Sequence, residues 1–155
     1  MIKYTECNVV FREIPNKVTL AINLSGCPFK CKGCHSSYLR EDIGEKLDFE
    51  TIDTLIQKYA GIECVCFMGG DAFIEELNLL VKHVKSKHNL LVGWYSGRDT
   101  LSIEQPHLIN YLDYLKIGSY KEELGPLDSV TTNQRLYKIN HVNEFYDITK
   151  QLQKV

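Results

Sequence analysis

Several things are missing from this chain, and each absence removes a class of function. Its apolar runs fall well short of the roughly 20 residues a membrane-spanning helix needs, so no integral membrane role is expected. The opening Met1-Ile-Lys-Tyr-Thr-Glu lacks the apolar core of a secretory leader, and the expected location is the cytoplasm. There is no basic surplus: 18 Lys and Arg stand against 20 Asp and Glu, and nucleic acid is not an expected partner. No repeat, low-complexity tract or linker interrupts the sequence. At 155 residues it suits one compact domain and is too short for two, so a single domain over 1–155 is expected.

Cysteine is present in number, with six residues. Without a secretory leader they do not read as a disulfide framework, but as metal or redox chemistry in a reducing compartment. Three of them crowd into Cys27-Pro-Phe-Lys-Cys31-Lys-Gly-Cys34-His35. Three thiolates in so short a loop make a soft-ligand cup for an iron–sulfur cluster or zinc. A cubic four-iron cluster has four corners, so three cysteines leave one iron open to a substrate or cofactor. Cys7, Cys64 and Cys66 read as small buried side chains. His83, His88, His107 and His141 show no ligand spacing and read as helix or surface residues.

The hydrophobic pattern alternates strands with helices. Strands are expected near 7–11, then at 18–24, 64–68, 90–95, 114–117 and 135–139. Helices are expected after Asp48 as N-cap, over the apolar positions Ile74, Leu77, Leu80, Val81 and Val84, more weakly over 102–111, and at 141–154. Such alternation predicts an α/β fold with a largely parallel sheet. A complete eightfold barrel takes about 250 residues, so the expectation is a partial, TIM-like β/α barrel with one open side. In such sheets chemistry gathers beyond the carboxyl ends of the strands. The cysteine loop, Gly69-Gly70-Asp71, Ser96-Gly97 and Gly118-Ser119 all fall at those ends.

Placed at the end of the first core strand, C-x3-C-x2-C resembles the signature of radical S-adenosylmethionine enzymes. The resemblance implies a [4Fe–4S] cluster on Cys27, Cys31 and Cys34, with S-adenosyl-L-methionine chelating the open iron. Reductive cleavage of that cofactor then yields a 5′-deoxyadenosyl radical. Met68-Gly69-Gly70-Asp71 is similar to the family's Gly-Gly-Glu element, which receives the cofactor's amino group, with Asp71 in place of glutamate. The alternative for Asp71 is the N-cap of the following helix. The resemblance places His35 near the adenine and Trp94-Tyr95-Ser96-Gly97 on the ribose side, while Trp94 and Tyr95 also suit a core.

From about residue 4 to 139 the chain further resembles the activating proteins of anaerobic ribonucleotide reductases. The resemblance rests on Glu13-Ile-Pro15, Asn23-Leu-Ser-Gly-Cys27, Cys34-His35-Ser36, Trp94-Tyr-Ser-Gly97, Gly118-Ser-Tyr, Leu127-Asp-Ser and Thr132-Asn-Gln-Arg135. It implies generation of a glycyl radical on the reductase catalytic subunit, with no general acid or base. Asn133, Gln134 and Arg135 then either hold the incoming peptide or close the last strand. A flavodoxin or ferredoxin-type donor is the expected source of electrons, with Lys30 and Lys32 beside Cys31 as a docking charge for an acidic partner. Two other readings stand beside this one. The first is a small radical enzyme acting on a small molecule, such as a deazapurine synthase. The second is a zinc-binding protein using the three cysteines and His35.

Overall fold

The computed structural model describes residues 1–28, 41–99 and 111–153. In chain order its strands are β1 (Lys3–Val10), β2 (Thr19–Leu24), β3 (Glu45–Lys46), β4 (Cys64–Met68), β5 (Leu91–Tyr95), β6 (Tyr114–Ile117), β7 (Arg135–Ile139) and β8 (Phe145–Asp147). Helix α1 (Phe49–Lys58) precedes β4, and helix α2 (Ile74–His88) follows it. All eight strands form one open sheet in the order β3-β1-β2-β4-β5-β6-β7-β8.

Connection length decides strand direction where the link is short. Residues 25–63 and 69–90 carry the helices that return the chain to the same edge, and β2, β4 and β5 pair parallel, as do β5 and β6. The short links 11–18 and 140–144 leave no room for a crossover, so β1 pairs antiparallel with β2 and β8 with β7. Strands β3 and β7 are antiparallel to their inner neighbours as well. The expectation of a largely parallel sheet is therefore corrected: parallel pairing is confined to the central four strands.

The two faces of this sheet bury different things. Leu20, Ile22 and Leu24 of β2, Val65 and Phe67 of β4, Val92 and Trp94 of β5 and Leu115 of β6 share one core cluster with α1 and α2. The helices contribute Ile52, Leu55, Ile56, Leu77, Leu80, Val81 and Val84, the apolar stripes visible in the sequence. On the opposite face Cys64, Cys66 and Tyr114 pack with Ile14 from the β1–β2 link. Burial pushes the Cys64 thiol up to about 12, with the nearby Asp113 carboxylate adding to the shift, and raises Cys66 well above the ordinary thiol range. Both stay protonated and inert, as their apolar reading implies.

Asp48 caps α1 as expected, accepting from the Thr51 amide at 2.8 Å. The two-residue β3 was not legible, because Glu45 and Lys46 are exposed and charged. It forms because Gly44, at φ +99°, lets the chain pass where a Cβ would lie 2.2 Å from the Tyr4 carbonyl oxygen. The helix expected at 141–154 is absent. Asn140 instead folds a tight turn, its Oδ1 accepting from Val142 and Glu144, and Asn143 adopts φ +60°. The chain then pairs as β8, where Phe145 meets the Tyr137 ring edge-on, and ends in a 3-10 turn at Thr149–Leu152. The expected helix at 102–111 falls mostly on 100–110, outside the described residues.

Leu115 is fully buried at the centre of this sheet, whereas Leu79 on α2 is 54% exposed. Leu115→Ala should cost about 2–5 kcal/mol in urea denaturation. Leu79→Ala should stay within about 0.5 kcal/mol of the parent.

Candidate functional site

Parallel register brings the carboxyl ends of β2, β4, β5 and β6 to one rim. Asn23 pairs with Met68, Met68 with Tyr95 and Tyr95 with Lys116, so these four form the last row across the sheet beneath the loops. This row belongs to the face away from the helices, where Met68 and Tyr95 pack with the Ile14 cluster.

The cysteine segment leaves β2 through Ser25 and Gly26. Its base is closed by the Gly26 amide donating to the Glu41 carbonyl at 3.0 Å and by the buried Ser25 hydroxyl donating to Ile43 at 2.6 Å. Both ends of the loop are thus pinned at the rim. Cys27 is half-buried just inside this base, and Gly26 lies against the Phe73 ring, beside the loop that follows β4. Cys31, Cys34 and His35, with Lys30 and Lys32, lie outside the described residues.

The Gly69-Gly70 turn is dictated by the backbone itself. Both residues have positive φ, at +107° and +89°, and a Cβ on Gly70 would stand 2.9 Å from Leu24 Cδ1. The turn is held by the Gly69 amide donating to Tyr95 at 3.0 Å and by the Trp94 indole donating to Gly69 at 2.7 Å. Trp94 and Tyr95 are both core residues on opposite faces of β5, and the Tyr95 hydroxyl donates to the Glu13 carbonyl.

Asp71 does not cap α2. The cap position is Phe73, with no side-chain hydrogen bond, and the nearly inaccessible Asp71 carboxylate turns towards the loop after β5. It accepts from the Ser96 hydroxyl, from the Gly97 amide at 3.3 Å and from Arg98 Nε at 3.3 Å, while Arg98 Nη2 donates to the Asp71 carbonyl at 3.0 Å. Asp71, Ser96 and Gly97 therefore form one latch, closed by Arg98. Sequence reasoning missed Arg98; its place directly after Ser96-Gly97 was the available signal.

The latch continues into the next strand end. Lys116, buried in the rim row, donates from Nζ to the carbonyls of Ser96 at 3.0 Å and Gly118 at 2.9 Å. A lysine inside the otherwise apolar Tyr-Leu-Lys-Ile strand was the clue to it. Ser119 donates from both amide and hydroxyl to Asp99 Oδ1, each at 2.9 Å. Gln134 donates to Gly118 at 3.3 Å and Asn133 Nδ2 to Ser119 at 3.0 Å, which ties the segment before β7 to the same rim. Asn133 Oδ1 is buried with no partner among the described residues. Arg135 points elsewhere, facing Asp147 of β8 at 3.8 Å. The structure thus joins Asn133 and Gln134 to the rim and separates Arg135 from them.

A model of the 4Fe-4S single cluster domain family matches residues 17–139. The chain belongs to that family. Its match begins just before β2 and ends with β7, so it takes in the cysteine loop and every loop of the rim. This is a cluster domain of the kind found in radical S-adenosylmethionine activating enzymes, and it implies a [4Fe–4S] cluster. Neither the curated proteins nor the solved structures yield a match. The donor set fits the cluster: a run of three thiols opens at Cys27, on a loop whose base the structure pins shut. No helix among the described residues is long and apolar enough to cross a membrane.

Of the histidines, His141 is exposed as expected, and His107 lies outside the described residues. His83 and His88 are helix residues of α2, as expected, and both converge on Asp53 of the neighbouring helix, a meeting their spacing did not show.

The hydrogen bonds from the Ser119 amide and hydroxyl hold the Asp99 carboxyl below its usual range. Since the folded value is the lower one, the tie is fully present above about pH 4 and is lost as pH falls through the depressed folded value. Exchange of the Ser119 amide should therefore accelerate on acidification below about pH 4, beyond the intrinsic pH trend of the chemistry. In Asp99→Asn this additional acceleration should vanish.

Proposed function

We propose that the protein is a radical S-adenosylmethionine activase that installs a glycyl radical on an anaerobic ribonucleotide reductase. The observation that carries the reading is the convergence of Cys27, Gly69-Gly70-Asp71, Ser96-Gly97 and Gly118 on one rim of a cluster-domain fold. With the cofactor bound, the cluster supplies reductive cleavage of a carbon–sulfur bond and, through the resulting radical, hydrogen abstraction.

The chain's own residues have three tasks. Cys27, Cys31 and Cys34 hold the cluster and leave one iron without a protein ligand. Gly69 and Gly70 keep the rim low, so that a methionine amino group can reach the backbone beside Asp71. Ser96 and Gly97, fixed by Asp71 and Arg98, present a rigid polar edge for the ribose, with His35 towards the adenine. Because Asp71 spends its carboxylate on Ser96, Gly97 and Arg98, its contribution is to position that edge and to place a negative charge beneath the amino group.

An open-sided site supports a protein substrate. We read the fold as a partial barrel whose uncompleted side admits a glycine-bearing loop. In this reading Asn133 and Gln134, tied to Ser119 and Gly118, hold the strand end beside which that loop passes. Arg135, directed at Asp147, serves β8 rather than the peptide. Lys30 and Lys32 provide positive charge beside the cluster for a flavodoxin or ferredoxin-type donor.

Isotope transfer tests the proposal. The reductase is prepared with α-deuterated glycine and mixed anaerobically with the cluster-loaded protein, S-adenosylmethionine and a reductant. Mass spectrometry should find one deuterium in the 5′-deoxyadenosine released. Release of unlabelled 5′-deoxyadenosine only, at a rate independent of the reductase, would exclude this partner and favour a small-molecule substrate.

A further inference from the structure

Away from the rim, the two helices carry a cluster that the radical chemistry does not use. Asp53 projects from α1 and is 15% exposed; His83 and His88 project from α2 and are 18% and 14% exposed. Asp53 Oδ1 meets His83 Nε2 at 2.8 Å and His88 Nε2 at 2.6 Å. The carboxylate's other oxygen, Oδ2, accepts from the exposed Lys87 at 2.6 Å. His88 is the last residue of α2, about 20 Å of helix from the rim end at Ile74. This cluster is therefore distinct from the cysteine loop.

We propose that Asp53, His83 and His88 form a second metal site, for a borderline divalent ion of the zinc class. Two imidazole nitrogens and one carboxylate oxygen are the donor set such ions prefer. The three donor atoms lie within 4.8 Å of one another. Tetrahedral ligands at about 2.1 Å from zinc stand about 3.4 Å apart. From 2.8 Å and 2.6 Å the Asp53 oxygen therefore has to separate from the two imidazoles by about 0.6 and 0.8 Å, and the imidazole nitrogens, within 4.8 Å of each other, have to close by up to about 1.4 Å, which side-chain rotations supply.

The site is also oriented. Phe49 stacks on the His83 ring at 4.5 Å between centroids and 7° between planes, fixing the direction of Nε2. Zinc takes the Nε2 lone pair of each neutral imidazole, whose remaining proton sits on Nδ1, and leaves Lys87 on Oδ2. Water completes the coordination on the exposed side. The ion then clamps α1 to α2 beneath the sheet face they cover.

The test titrates Zn2+ into cluster-loaded protein, whose three loop thiolates are occupied, and repeats the titration with all three loop cysteines changed to serine. One Zn2+ per chain should bind in both and raise Tm by about 5 °C or more at saturation, reversibly with chelator. Co2+ should give a visible ligand-field spectrum with no thiolate charge-transfer band. Asp53→Asn and His88→Gln should each weaken Zn2+ by at least about 100-fold, the upper end of what loss of a mere supporting partner costs. Lys87→Met should retain the ion, since lysine is not a ligand. The proposal is overturned if wild-type protein takes up no Zn2+ beyond the cluster site, or if uptake survives unchanged in both ligand variants.

Discussion

Parallel pairing of β2 with β4, of β4 with β5 and of β5 with β6 is the constraint on which the rest depends. Because Asn23, Met68, Tyr95 and Lys116 fall in one row, four strands end level and their loops must meet. A slip of one residue in any of these pairings would turn the alternating faces over. Cys66 and Tyr95 would then be driven into the helix layer, and Phe67 and Trp94 out of it. The helix-side core therefore stabilises the sheet and fixes the geometry of the rim together.

The rim itself is built from polar groups that satisfy one another. Trp94 reaches the Gly69 carbonyl, Asp71 reaches Ser96 and Arg98, Lys116 reaches Ser96 and Gly118, and Asn133 reaches Ser119. Such bonds contribute about 1 kcal/mol each, more where a charge takes part. Their larger effect is positional, since each loop is held by its neighbours in the sheet. The cysteine segment joins this frame at its base, where residues 25 and 26 grip 41 and 43. A cluster seated there faces a surface that needs little rearrangement, the condition under which binding energy serves orientation.

Much of this was legible in the sequence for identifiable reasons. The uninterrupted apolar run at Cys64–Met68, closed by Gly69-Gly70, reads as a strand covered on both sides. The periodic residues of α1 and α2 could only face a core, and the cysteine spacing pointed to a cluster before any fold was known. What escaped depends on partners distant in the chain. Glu45–Lys46 pairs as a strand because Gly44 lets it approach Tyr4. The segment after Asn140 becomes a hairpin because asparagine side chains bond their own backbone, and neighbouring Tyr137 receives Phe145. His83 and His88 looked unrelated because their meeting point, Asp53, comes from another helix. Arg98 and Lys116 acquire meaning only when the strand ends are level.

The central claim is that the cysteine loop holds a four-iron cluster with one iron open to S-adenosylmethionine at this rim. Electron paramagnetic resonance of the reduced, anaerobically reconstituted protein, recorded with and without S-adenosylmethionine, addresses it most directly. The account predicts a reduced [4Fe–4S] signal whose g-values shift when the cofactor is added, with both signals lost in Cys27→Ala. A cluster signal that the cofactor leaves unaltered, or no paramagnetic cluster after reconstitution, would contradict it.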